Sequence, residues 1–234
     1  MAFTVHAVMP GVWHIVDCMG VCMTLLEGEN AAMLVDTGYG IEDVADFMRH
    51  MTDLPLTVFL THNHHDHAMG ARCFPETYML EADMADWRMF TNDEMRRRVL
   101  TQAIGKNLTV DEKTFLAGEI PLPKVMKPGV IDLGGLTAEI IEAPGHTPGS
   151  AVVYVPERKL LLSGDDWNPC TWLFFPQALG LREYRSNMRG IQQLPFEKVL
   201  CPHREALYDR WMFDDFFNAL TDGNLRAAEP VNIA

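Results

Sequence analysis

Short apolar runs bounded by Gly, Pro and Asn set the rhythm of the first third of the chain. Runs at 4–8, 12–16, 21–26 and 33–35 are too short for helices and read as strands. A turn at Asp36-Thr-Gly38 follows. Over 41–51 the period changes, and Ile41, Val44, Ala45 and Met48 recur at helical spacing. A short apolar strand at 58–60 runs straight into Thr61-His-Asn-His-His-Asp-His67. A small helix is expected over 67–71, and 78–80 returns to strand.

Residues 81–127 break this rhythm. They are rich in Met, Asp, Glu and Arg and read as helical pieces at 82–90 and 94–104, followed by a looser, Pro-containing segment. Short and poor in periodic apolar positions, the stretch reads as a helical insertion over one edge, either a lid or a dimer arm. It does not read as a second domain. The second half resumes with strands at 130–133, 137–143, 151–155, 160–162 and 198–201, and helices at 181–194 and 206–220. Each half runs strands first and helices after. That order fits two sheets packed face to face with helices outside, an α/β fold in a single domain over 1–234.

Composition narrows the class. A chain of 234 residues that is 48% hydrophobic can bury a large core without staples. Its five cysteines, odd in number and irregularly spaced, make a poor disulfide framework. Cys18 and Cys22 are too far apart for a CxxC pair and read as small buried hydrophobes. A formal charge of −13 argues against nucleic acid as the main partner and against anionic membranes. No apolar run approaches a membrane span, and the first residues lack a signal-peptide pattern, so a cytoplasmic protein is expected. The partner expected is a small-molecule substrate, with a homodimer left open.

Histidine carries the chemistry. There are nine in the chain, yet His62, His64, His65 and His67 fall in one short loop with Asp66. Neutral imidazole and carboxylate are the groups that bind divalent zinc or iron near pH 7. In an extended loop residues two apart project to one side, so His62 and His64 can share one metal while Asp66 and His67 serve another. Further donors follow other apolar runs: His146 in Pro-Gly-His-Thr-Pro-Gly, Asp165 in Ser-Gly-Asp, and His203 in Cys-Pro-His. Their Gly and Pro neighbours allow sharp turns and close approach. His65 reads as an exposed or supporting residue. His6, His14 and His50 read as ordinary surface or satisfied histidines, and the scattered acidic residues as solvated surface. No GxSxG elbow, Walker loop or GxGxxG fingerprint is present.

In order along the chain, Asp36-Thr-Gly, HxHxDH at 62–67, Pro-Gly-His146-Thr-Pro-Gly, Ser-Gly-Asp165 and His203 resemble the metallo-β-lactamase superfamily. The resemblance implies a four-layer αβ/βα sandwich with two divalent metals in a cleft at one edge. The metals would be zinc, with iron or manganese as alternatives. It implies that His62, His64 and His146 hold the first metal, that Asp66, His67 and His203 hold the second, and that Asp165 bridges them. Asp36 would orient ligands. The sequence departs from the family at His203, which has Pro202 and Arg204 where glycine is usual. Five neutral histidines and two carboxylates leave such a centre at about +2, and a bridging hydroxide at about +1. That arrangement makes a nucleophile at neutral pH, with Asp66 and Asp165 as the catalytic carboxylates. A hydrolase of small esters, lactones or thioesters is expected. The alternatives are a mononuclear iron oxygenase resembling persulfide dioxygenases, built on His62, His146 and Asp165, and a non-catalytic metal-binding module. Trp167, Trp172, Phe174 and Phe175, which follow Asp165, offer an apolar substrate wall. Tyr39 is a further pocket candidate, while Met84, Met89 and Met95 could line a pocket but read first as helix packing.

Overall fold

A computed structural model describes residues 3–169 and 172–221. In chain order its elements are β1 (Thr4–Met9), β2 (Val12–Val16), β3 (Cys22–Glu27), β4 (Ala32–Val35), α1 (Val44–Met51), β5 (Leu56–Phe59), α2 (His65–Ala68) and β6 (Tyr78–Met79). The insertion supplies α3 (Trp87–Thr91), α4 (Asp93–Gly105), α5 (Glu112–Phe115) and β7 (Lys124–Val125). The second half supplies β8 (Gly129–Asp132), β9 (Thr137–Glu142), β10 (Ala151–Val155), β11 (Leu160–Leu162), α6 (Leu181–Gln192), β12 (Lys198–Leu200), β13 (Tyr208–Asp209) and α7 (Arg210–Ala219).

The strands form two mixed sheets, ordered β1 through β7 and β13-β12-β11-β10-β9-β8. Two-residue periodicity decides which side chains meet. Leu26, Met33 and Val35 of the first sheet pack on Val153, Leu162 and Leu200 of the second in the core between them. The intervening residues Leu25 and Leu34 face outward under Val44 and Met48 of α1. Val152, Leu161 and Val199 face outward under Met188 and Ile191 of α6 and Phe213 of α7. Both sheet faces are therefore apolar, and the molecule is the four-layer sandwich expected.

Several elements differ from the sequence reading. The insertion ends in β7, which pairs in parallel with β6 and rejoins the first sheet. Two exposed residues show no alternation from which to read a strand. The last helix begins at Arg210 because Tyr208 and Asp209 pair with β12 as an edge strand. The helix expected over 82–90 is a single 3₁₀ turn at Glu81–Asp83 followed by α3, because Asp83 is drawn inward to bond other loops. The insertion is not loosely appended. Trp87, Leu100, Ala103 and Phe115 share a buried cluster with Leu60, Ala68 and Met69 of the first half.

β9, β11 and β12 run in one direction in the second sheet, and β4 and β5 in one direction in the first. Their C-terminal ends deliver Asp36, the 61–67 loop, His146, Asp165 and His203. Backbone bonds from Ala151 N–H to the Thr61 carbonyl (2.9 Å) and from Cys22 N–H to the Pro202 carbonyl (2.7 Å) tie the two sheets there.

Candidate metal centre

The backbone builds this site from chain ends that have nothing left to pair with. Past Phe59 the chain leaves β5, and Thr61 N–H and Oγ1 donate to Asp36 at 2.7 and 2.9 Å. Asp36 itself sits at φ +65°, a left-handed conformation uncommon for a side-chain-bearing residue. That turn lets its carboxylate accept both Thr61 and His67 Nδ1 (3.0 Å). His67 is thereby fixed with Nε2 pointing inward. His146 is fixed the same way, donating from Nδ1 to the Trp172 carbonyl at 2.7 Å. His62 Nδ1 lies 3.1 Å from Thr61 Oγ1. Each of these rings spends one nitrogen on the protein and turns the other toward a common centre.

That centre is Asp165. Its Oδ2 lies 3.2 Å from His203 Nε2, 3.4 Å from His146 Nε2, 3.5 Å from His67 Nε2 and 4.0 Å from His62 Nε2. On one side His64 Nδ1 approaches His146 Nε2 at 2.8 Å. On the other, Asp66 Oδ2 is 3.6 Å from both His67 Nε2 and His203 Nε2. Donor atoms of His62, His64 and His146 lie within 4.8 Å of one another, as do those of His62, His67 and Asp165 and those of Asp66, His67 and His203. The structure thus brings all seven predicted donors together.

The donor set fits divalent cations on its own chemistry. Burial, reinforced by neighbouring imidazoles, pushes His62 and His64 well below the usual histidine range, so both are neutral lone-pair donors. His62 Nε2 is buried without a hydrogen-bond partner, an orphan that a cation would satisfy. Burial opposes charge on His67, but Asp165, Asp66 and Asp36 together raise it well above its ordinary value. That excess of carboxylate charge is what a bound cation neutralises. Burial likewise opposes ionisation of Asp66, yet His67, His65 and His203 hold its carboxyl down at about 2.

Buried acids missed in the sequence hold the loops in place. Asp83 accepts from Thr147 Oγ1 (2.7 Å), Gly149 N–H (2.6 Å) and Asn63 N–H (3.1 Å), tying the first histidine loop to the His146 loop. Asp166 belongs to none of the donor groups and accepts from His146 N–H at 2.9 Å. Asp17 accepts from the backbone of Met19, Gly20, Val21 and Tyr39. These residues contradict the expectation that the acidic residues are solvated surface. A buried carboxylate serving backbone N–H groups has no sequence signature of its own. The glycines themselves are required by contact. A Cβ on Gly145 would lie 2.5 Å from the Tyr184 ring, and one on Gly149 would lie 2.5 Å from Asp83 N.

Above the donors lies a cavity of about 950 Å³. Tyr39, Phe90, Met95, Trp172 and Phe175 form its apolar wall. The Trp172 ring lies 4.4 Å from His203, and Phe175 and Phe90 lie 4.7 and 4.5 Å from His64. Two of the expected wall residues lie elsewhere. Trp167 is fully buried and stacks on Phe213 of α7, because the 3₁₀ turn at Gly164–Asp166 turns the chain under the helices. Phe174 is exposed and packs on Phe175 without lining the cavity. Met84 and Met95 pack against the insertion core as expected, while Met89 and Met95 also line the cavity. His65, expected exposed or supporting, is buried and lines the cavity edge-on to Tyr39. His14 is buried and satisfied by Thr24 and the Arg204 carbonyl.

Residues 16–203 match the model of the metallo-beta-lactamase superfamily. An acyl-coenzyme A thioesterase MBLAC2 from Gallus gallus is 26% identical over 202 residues, covering 76% of this chain and 70% of that protein. The metallo-beta-lactamase FIM-1 from Pseudomonas aeruginosa, solved in a mono-zinc form, superposes with a TM-score of 0.66 at 17% identity, covering 98% of each chain. TTHA1623 in a di-iron-bound form superposes with a TM-score of 0.60 at 22% identity, over 82% of this chain and 91% of that one.

Proposed function

Because the chain belongs to the metallo-β-lactamase superfamily, we propose that it is a dinuclear, zinc-dependent hydrolase of small acyl thioesters. The observation that carries this reading is the convergence of four imidazole nitrogens on one Asp165 oxygen beneath an apolar cavity. The thioester, among the esters, lactones and thioesters the site could serve, is favoured by the likeness to the acyl-coenzyme A thioesterase.

His62, His64 and His146 would hold one divalent cation and Asp66, His67 and His203 a second, with Asp165 between them, supplying Lewis acidity and a water of lowered pKa. Asp36, Thr61 and the Trp172 carbonyl keep the rings oriented. Phe90, Met95, Trp172 and Phe175 take the acyl portion and exclude water around the carbonyl. Asp66, which lines the cavity, would hold the second cation and orient the attacking water, and the proton that water loses leaves with the departing thiol. No side-chain nucleophile is needed, because the oxygen that attacks comes from water.

Elemental analysis of protein purified without added metal, paired with hydrolysis of thioesters, lactones, esters and β-lactams, tests the reading. Two zinc equivalents and thioester turnover are expected, and Asp165→Ala should lose both together. One iron equivalent with no hydrolysis would favour the mononuclear oxygenase. Two metals with no turnover of any of these substrates would end the substrate assignment. Among the described residues no helix is long and apolar enough to cross a membrane.

A further inference from the structure

The rim of the cavity has a charge opposite to that of the molecule. The chain carries 19 basic against 32 acidic residues. Around the cavity, however, the acidic groups are Asp66 and Asp165, and both belong to the metal-donor cluster on its floor. The remaining charged lining residues are Arg98 and Lys106, from α4 and the residue that caps it, and Arg204, from the loop after β12. Met95, Arg98, Gln102 and Lys106 recur at helical spacing, so one face of the insertion is turned over the metal donors. Arg98 is partly neutralised by Glu94 at 2.7 Å. Lys106 donates to the Met19 carbonyl at 2.9 Å and Arg204 to the His203 carbonyl at 2.9 Å. Both partners are neutral, so no carboxylate among the described residues compensates either cation.

We propose that Lys106 and Arg204, with Arg98 beside them, bind a phosphate group on the thiol half of the substrate and select phosphorylated thioesters. This inference rests on the thioester reading above and adds to it the group that the site recognises away from the reacting carbonyl. The division of labour follows from the lining. Acyl carbons lie on the aromatic and methionine wall, while the phosphate is drawn to the two uncompensated cations from separate elements. A net charge of −13 repels a phosphorylated ligand from the molecule as a whole, which makes the cationic rim discriminating as well as attractive. Arg204 occupies the place where the superfamily usually has glycine, so the departure noted in the sequence acquires a use.

The test compares hexanoyl-4′-phosphopantetheine with hexanoyl-pantetheine, which share the scissile bond and acyl chain and differ by one phosphate. Wild-type protein should turn over the phosphorylated thioester with the lower KM, by roughly tenfold per cation engaged, and the advantage should shrink with added salt. In Lys106→Gln/Arg204→Gln the ratio of the two KM values should collapse toward one. Arg97→Gln, exposed and absent from the cavity lining, should leave the ratio as in wild type. Equal KM values for the two thioesters in wild-type protein would overturn the proposal while leaving thioester hydrolysis intact. Calorimetric binding of free 4′-phosphopantetheine against pantetheine provides the readout independent of catalysis. Tighter phosphopantetheine binding that the double variant abolishes would uphold the rim even if no thioester were hydrolysed. Equal binding of the two, or competition by inorganic phosphate that ignores both substitutions, would refute it.

Discussion

Asp83 shows what a single residue does far from the reacting atoms. Three donors from two loops converge on its carboxylate, and those loops carry His62, His64 and His146. Burial pushes its carboxyl above the ordinary value of 3.8, against the pull of Thr147, Gly149 and Asn63. A carboxyl raised on folding contributes its full stability below the unfolded pKa and loses it as pH rises through the folded one. Asp83→Asn cannot titrate. The stability advantage of wild type over this variant should therefore narrow as pH rises from about 3.8 toward neutrality, as read by urea denaturation across that range. An advantage that widened instead would show that the hydrogen bonds outweigh the burial.

At the scale of elements, the insertion depends on one buried guanidinium. Arg96 of α4 donates to the carbonyls of Phe115, Leu116, Ala117 and Gly118 at 2.7 to 3.4 Å and pairs with Asp93 at 2.6 Å. Those carbonyls close the C-terminal end of α5, which is too short to satisfy its own termini. The same helix presents Met95, Arg98 and Gln102 to the cavity. Replacing Arg96 by Met should cost about 3 kcal/mol, because several buried acceptors lose their donors at once. Arg96→Lys should recover little of it, since an ammonium lacks the planar fork that spans several carbonyls. Chemical denaturation of the three proteins measures both. A loss below about 1 kcal/mol for the Met variant would show that the segment is held by Trp87 and Phe115 alone.

Over the whole molecule, the donor cluster joins two halves that also meet through apolar packing and a few backbone hydrogen bonds. Asp36, His62, His64, Asp66 and His67 come from the first sheet and its loops, and His146, Asp165 and His203 from the second. A cation bound by both acts as a fastener, stabilising the folded state in proportion to the logarithm of its excess over the dissociation constant. Chelation should lower the melting temperature on the order of 10 °C, and zinc should restore it. Calorimetry before and after dialysis against a chelator measures this, and an unchanged melting temperature would contradict the ligand assignment.

Local order was legible in the residues. Strands such as 12–16, 151–155 and 160–162 have the bounds expected, since each is a short apolar run closed by turn residues. The candidate donors that the structure gathers were legible as residues too, because groups able to bind metal are few in kind and follow apolar runs. What the sequence could not carry is anything decided by residues distant in the chain. Trp167 and Trp172 look alike in one dimension, yet a single 3₁₀ turn places one under α7 and the other over the donor cluster. Asp83 and Asp17 became structural only because backbone N–H groups from separate loops arrived at their carboxylates. The cationic rim likewise exists only because α4 folds back over the strand ends beside Arg204. Side-chain type and spacing encode local conformation and chemical capacity, whereas burial and partnership depend on which distant surfaces the packed sheets bring into contact.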